Sequence, residues 1–366
     1  MYPLLHDGDV VYYHKVAYSK FKIDDLVLVQ TKQNYFTHRL IYKALKYTIT
    51  KGDNNPRADG KIRPSQIIGR ITKVKRGKEV FDPEQLYLIQ STLYFAEIIK
   101  IKHAFEQAGI NFVYLKGLPL HLYYEKTYPR RIYADCDVLI EKSEQLTAKK
   151  ILSSFGYKEV NTAVFVSELY RKNQPEFSFV KYINSFSVVF DVHVEVLFMT
   201  KHLGSLNMLY PQKLIDKLSA KFLEKKRIVR LKGETWPILS PANLIVYLAL
   251  HFFHHNYRGA FRLQFLEKVI AKENSRSSKL WLQINKLVKD YNLTNFVKPV
   301  LSKHKLKANY SNLEIFSDEL RSKAGITRFI NLVKLSPASW FSKMMVFINP
   351  AVLINLCIVV KEKLKK

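Results

Sequence analysis

The sequence is short of cysteine: Cys136 and Cys357 are the only two in 366 residues. Two thiols so far apart build neither a disulfide framework nor a cysteine-based zinc site, and they fit a reducing compartment. Acidic residues are scarce as well, 31 Asp and Glu against 59 Lys and Arg, for a formal net charge of +28. That excess suits a polyanionic partner such as a nucleotide, nucleic acid or acidic membrane, and it equally follows from the Lys-, Ile-, Asn- and Tyr-rich usage of an AT-rich genome. No basic helix interleaved with aromatics stands out, so no sequence-specific nucleic-acid reader is expected. Long apolar runs are missing too. The most apolar tract, WFSKMMVFINPAVLINLCIVV, contains a Lys, two Asn and a Pro and makes a poor membrane span. With KEKLKK after it, the tract reads either as an interfacial helix in peripheral contact with an anionic membrane or as a core helix with a basic tail. No signal peptide precedes the first polar, turn-rich segment, and the expected location is cytoplasmic, with membrane association left open. What is plentiful is core material: 48% of residues are hydrophobic and 13% aromatic, enough for two or three globular domains.

Along the chain the hydrophobic period changes once. DVVYYHKV, DLVLVQT, YFTHRLIY, KYTIT and IIGRITKV alternate β-branched and aromatic residues between turn signals, which predicts a small all-β domain over residues 1–83. KRGKEVFDPEQ reads as the connector. The segment from Pro83 to Gly109 then has helical spacing and is followed by the strand INFVYLKG, the apolar run LPLHLYYE, a strand after RRIYADCD, a helix SEQLTAKKILSSFGY and the strands EFSFVKYI and FSVVFDVHVEVLF. This predicts an α/β or α+β core over 84–235. From LSPANLIVYLALHFFHH onward the pattern is helical, with Ser240 at the N-cap and Pro241 in the first turn, so residues 236–366 form an α-helical C-terminal region.

The chemistry concentrates in the second of these domains. Asp135 and Asp137, two apart at the start of a strand, project to one face and Cys136 to the other. Carboxylates so close repel unless a cation lies between them, and a hard divalent ion such as Mg²⁺, or Mn²⁺, takes protein carboxylates together with phosphate oxygens. FDVHVEVL repeats the spacing with Asp191, His193 and Glu195; where the two strands are neighbours, Asp191 completes a three-carboxylate metal site. Upstream, Lys116 and Gly117 end a strand before a helix whose backbone amides suit a triphosphate, and Arg131 suits another phosphate contact. His251, His254 and His255 share a helix face, but neither Glu at metalloprotease spacing nor Cys accompanies them; His251 is kept as a pocket candidate.

These residues carry a resemblance. FVYLKGLPLHLYYEKTYPRRIYADCDVLI, then VVFDVHVEVLF, then LIVYLALHFFHHNYRGAFRLQFLEKVI resemble the uncharacterised nucleotidyltransferase family of the DNA polymerase beta superfamily over about residues 86–366. The resemblance implies a nucleotidyltransferase fold and metal-dependent transfer from an NTP to an acceptor hydroxyl. It assigns the family pattern to Lys116, Gly117, Arg131, Asp135, Asp137, Asp191, His193 and His251. Two positions depart from it: the superfamily's usual Gly-Ser turn is Lys-Gly, and Glu267 stands where relatives tend to carry Asp.

MYPLLHDGDVV, DDLVLVQ, FTHRLIY, TKGDNNPRADG and IIGRI resemble, in order, the blocks of signal-peptidase-like serine proteases. The resemblance implies His38 as general base, Asp59 as the residue orienting it and Asp53 at a second acidic position, while the slot for the nucleophilic Ser lies before Met1. Three expectations follow for this domain: a peptidase when a Ser precedes Met1, a peptide-binding platform, or a structural remnant. A leader-binding module beside a transferase suggests a peptide as one acceptor. A non-catalytic scaffold is the remaining alternative for the whole chain.

Overall fold

The computed structural model describes residues 4–32, 34–52, 58–126, 135–160, 175–183, 186–196, 198–199, 206–257, 260–273, 278–301, 324–350, 352–353 and 357. The first segment forms a six-stranded antiparallel sheet from β1 (Val10–His14), β2 (Leu26–Gln30), β3 (Tyr35–Lys43), β4 (Thr48–Lys51), β5 (Ile67–Arg76) and β6 (Glu79–Phe81), in the order β1-β5-β2-β3-β4 with β6 on β5. Part of the expected connector is therefore strand: Gly77, at φ +60°, turns β5 into β6. One face of this sheet buries Phe21, Val27, Val29, Leu40, Ile62 and Ile67, and the other buries Leu4, Leu26, Ile71 and Val74.

Helix α1 (Pro83–Gln107) starts immediately after this sheet because Asp82 caps it, accepting from the Glu84 amide at 2.8 Å, with Pro83 in the first turn. It stops where Gly109 takes a φ of +71°. Its first turn seats Leu86 and Tyr87 in the cluster of Leu4, Leu26, Ile71 and Val74, and later turns seat Tyr94, Phe95, Ile98 and Phe105 in the main core.

That core surrounds a second, mixed sheet. Its strands are β7 (Phe112–Lys116), β8 (Cys136–Ile140), β9 (Lys158–Val160), β10 (Glu176–Ile183), β11 (Phe186–His193), β12 (Lys226–Leu231) and β13 (Glu234–Leu239), in the order β12-β13-β7-β8-β11-β10-β9. Between them lie α2 (Leu118–Glu125), α3 (Gln145–Ser154) and α4 (Gln212–Glu224). β8 runs parallel to β11 and antiparallel to β7, so the two acidic segments are direct neighbours. β13 pairs parallel with β7 and carries the sheet past residue 235, to Leu239.

The remainder is helical among the described residues: α5 (Pro241–His254), α6 (Ala260–Lys272), α7 (Ser278–Asp290), α8 (Thr294–Leu301), α9 (Ala324–Leu335) and α10 (Trp340–Ile348). Ser240 holds the N-cap position of α5 without a capping bond from its side chain. α5 is buried on nearly all sides, from Leu244 to Phe253, because α6, α7 and α8 pack around it. Among the described residues no helix is long and apolar enough to cross a membrane.

Candidate active site

Strand register assembles the site. Asp137 on β8 lies opposite Lys116 on β7 and opposite Asp191 on β11, so the three side chains form one row across adjacent strands and point to one face. Asp135, just before β8, joins them. Ligand oxygens of Asp135, Asp137 and Asp191 lie within 4.8 Å of one another. Asp137 is the buried floor at 2% exposure, while Asp135 and Asp191 are half-buried and open to solvent.

Gly117 permits the close approach of β7 to the start of β8. Its φ is +102°, and a Cβ there would stand 3.3 Å from the Asp135 carbonyl oxygen and 3.4 Å from the Cys136 Cα. The bend sends Lys116 inward: its Nζ donates to Asp135 Oδ2 at 3.0 Å and lies 2.6 Å from Asp137 Oδ2. The ammonium thus bridges the two carboxylates and offsets one of their two charges. Burial disfavours its charge, yet Asp135 and Asp137 hold its pKa well above the usual lysine range.

On the far side of Asp137, His193 Nε2 donates to Asp137 Oδ1 at 3.0 Å, and its Nδ1 lies 3.4 Å from Glu176 Oε2. Burial works against a charged imidazole here, but the bond to Asp137 and the Glu176 charge raise its pKa above the ordinary value. Asp137 is depressed in spite of its burial, by the Lys116 charge and the His193 bond. Asp191 goes the other way. Burial and then repulsion from Asp137 and Asp135 push it up to about 7, although Ser178 Oγ donates to its Oδ1 at 2.5 Å. Lys116 and His193 thus favour the charge on Asp137, whereas at Asp191 burial and repulsion prevail and favour the protonated form.

An all-oxygen set of three carboxylates fits a hard divalent ion such as Mg²⁺ or Mn²⁺, and the proton forced onto Asp191 marks where its charge is wanted. Glu195 does not join. β11 ends at His193, the chain bends at residues 194–195, and Glu195 instead accepts from Gln212 Nε2 at 2.5 Å. Arg131 and Asp53 lie outside the described residues. Cys136 is fully buried behind the carboxylates, where burial pushes its thiol pKa up.

α5 supplies one further wall. Tyr247 is buried within electrostatic reach of Asp137 and Lys116; its burial and the Asp137 charge raise its phenol well above the usual range, against the opposing pull of Lys116. His251 stacks on Tyr247 with ring centroids 6.0 Å apart, and its Nε2 meets His255 Nε2 at 3.2 Å. Burial, with the positive charges around it, drives the His251 pKa well below the ordinary value, so it stays neutral. Sequence reasoning missed Tyr247, Ser178 and Glu176. Tyr247 precedes His251 by one helical turn. Ser178 and Glu176 become readable once the connection between Ile183 and Phe186 is taken as two residues, because every β10–β11 pair then follows from it.

In the first sheet, His38 on β3 places Nδ1 2.5 Å from Asp59 Oδ2, and Thr50 Oγ1 donates to the same oxygen at 2.6 Å. An ionised carboxylate can only accept, so His38 Nδ1 carries the proton and Nε2 is left as the acceptor.

The family model described as "Uncharacterised nucleotidyltransferase" matches residues 83–303, more than half of the chain. No curated protein matches. Among solved structures, the antibiotic-resistance factor ANT(2'')-Ia overlaps 59% of this chain and 98% of its own at 10% identity and a TM-score of 0.35. An antigenic nucleotidyltransferase-like protein from Paracoccidioides brasiliensis overlaps 58% of this chain and 91% of its own, at 14% identity and a TM-score of 0.30. With the carboxylate row inside the matched residues, the chain belongs to the uncharacterised nucleotidyltransferase family.

Proposed function

We propose that the chain moves a nucleotidyl group from an NTP to an acceptor hydroxyl, with Asp135, Asp137 and Asp191 holding a divalent ion. The observation that carries the reading is the row Lys116–Asp137–Asp191, set by the register of three strands, with Asp135 closing the cluster. The acceptor hydroxyl gives up its proton to water as its oxygen bonds to the α-phosphorus, the bond from that phosphorus to the leaving oxygen breaks, and pyrophosphate departs. A bound Mg²⁺ or Mn²⁺ supplies neutralisation of phosphate charge in this chemistry. The protein's own groups position and hold protons. His193 keeps Asp137 ionised and oriented, and Ser178 fixes one oxygen of Asp191. Lys116, the backbone after Gly117 and Arg131 are the phosphate contacts in this reading, and neutral His251, beside Tyr247, or His193 meets the acceptor.

Calorimetry with NTP and Mg²⁺ tests it. Asp135→Ala with Asp137→Ala abolishes metal-dependent nucleotide binding, and no label passes from NTP to an acceptor. Unchanged binding in the double variant overturns the reading. A wild-type chain that neither binds nucleotide nor transfers label is the non-catalytic scaffold instead.

The His38–Asp59–Thr50 chain supports a second role for the first sheet, in handling peptides. It supplies a proton acceptor at His38 Nε2 for a serine-type hydrolysis or a peptide contact. On this reading His38→Ala weakens peptide cleavage or binding and leaves nucleotide binding intact.

A further inference from the structure

Helix α10 presents an apolar stripe to solvent. Trp340 is 75% exposed, Phe341 67%, Met344 48%, Phe347 43% and Ile348 62%. At about 100° per residue these five fall within an arc of about 120° on the helix. Val346, the one fully buried residue of α10, lies on the opposite side and anchors the helix to the body. Scattered exposed hydrophobics are ordinary, but five large ones aligned on one helix face mark a surface that meets another apolar phase.

The charge of the sequence that carries the stripe identifies that phase. From Ala324 to the last residue the chain has seven basic residues, Arg328, Lys334, Lys343, Lys361, Lys363, Lys365 and Lys366, and a single acid, Glu362. Lys343 flanks the stripe, with its Nζ donating to the Lys334 carbonyl at 3.2 Å. A second copy brought onto this face would set like charges against like, whereas an anionic surface meets the cations with opposite charge. Trp340 and Phe341 at the start of the stripe suit the headgroup boundary, where aromatic rings concentrate. Nine helical residues are far too short to span a bilayer and sufficient to lie in its surface. We propose that α10 is an interfacial helix that seats this chain on an anionic lipid surface. The inference is independent of the nucleotidyl-transfer reading.

Co-sedimentation of the full chain tests it, with vesicles of equal parts phosphatidylglycerol and phosphatidylcholine beside vesicles of phosphatidylcholine alone. The chain partitions onto the anionic vesicles and is released by salt. Phe341→Glu with Ile348→Glu weakens partitioning by roughly tenfold or more, while the circular-dichroism melt stays that of wild type. Lys343→Glu, which removes no apolar surface, weakens it less. In a Trp281→Phe background the Trp340 emission shifts to the blue on binding. Equal partitioning onto both vesicle types, or undiminished partitioning of the double glutamate variant, overturns the proposal. So does a concentration-dependent dimer that the double variant dissolves, or a Trp340 that iodide fails to quench in the absence of vesicles.

Discussion

Asp191 stands at the open edge of the carboxylate row, where burial and two neighbouring carboxylates hold a proton on it up to a pH of about 7. Its folded-state pKa lies above the ordinary value of 3.8, so between those limits the folded chain binds more protons than the unfolded one and stability falls as pH rises. His193 acts in the same sense. Its pKa is raised above 6.5, so its contribution is complete below that value and is lost as pH climbs through the folded pKa. Asp137 is depressed, and its contribution is present above 3.8 and lost only in acid. The metal-free protein is therefore expected to lose thermal stability steadily between about pH 5 and pH 8. Saturating Mg²⁺ or Mn²⁺ flattens that slope, because the cation replaces the proton as counter-charge and binds the folded state alone. Scanning calorimetry across this range checks it, and Asp191→Asn removes much of the slope. A flat profile without metal would show that Asp191 is not crowded by its neighbours.

At the level of elements, the site depends on three strand ends and one bend. The acidic strands were readable because side chains alternate in β structure: Asp135 with Asp137, and Asp191 with His193, are each two apart and share a face. The same rule extended FDVHVEVL too far. It took no account of the bend after His193, which hands Glu195 to Gln212. The parallel pairing of β8 with β11 also joins residues more than fifty positions apart, and local periodicity holds no information on such contacts. Gly117 is the element most open to test. Alanine there must adopt a φ of +102° and place its Cβ 3.3 Å from the Asp135 carbonyl oxygen, a backbone atom with little room to yield. A conformation so unusual for a residue with a side chain costs about 1–3 kcal/mol, read as a lower urea midpoint. The strain falls between Lys116 and Asp135, so the affinity for divalent metal falls with it. A variant with lowered stability and unaltered metal affinity would place the bend outside the site.

For the whole molecule, the hydrophobic period puts one of its boundaries near residue 83, and one sheet lies on each side of it. What the period could not reveal is that the units share a core. Leu86 and Tyr87 belong to the second unit in sequence, yet they are 3% and 4% exposed because Leu4, Leu26, Ile71 and Val74 of the first sheet close over them. The Arg39 guanidinium lies 4.6 Å from the centre of the Tyr87 ring and adds a cation–π contact across the same boundary. α1 then continues beneath the second sheet, where the Tyr94 hydroxyl donates to the Val189 carbonyl on β11 at 2.7 Å. A single helix thus touches both sheets, and its first turn couples them. Truncating a buried side chain of this size costs about 2–5 kcal/mol, so Leu86→Ala with Tyr87→Ala is expected to loosen more than the helix that carries them. Hydrogen exchange should show β5, residues 67–76, losing protection together with the first turns of α1. Loss confined to α1 would mean that the first sheet stands without the helix, and that the two units are joined by sequence alone.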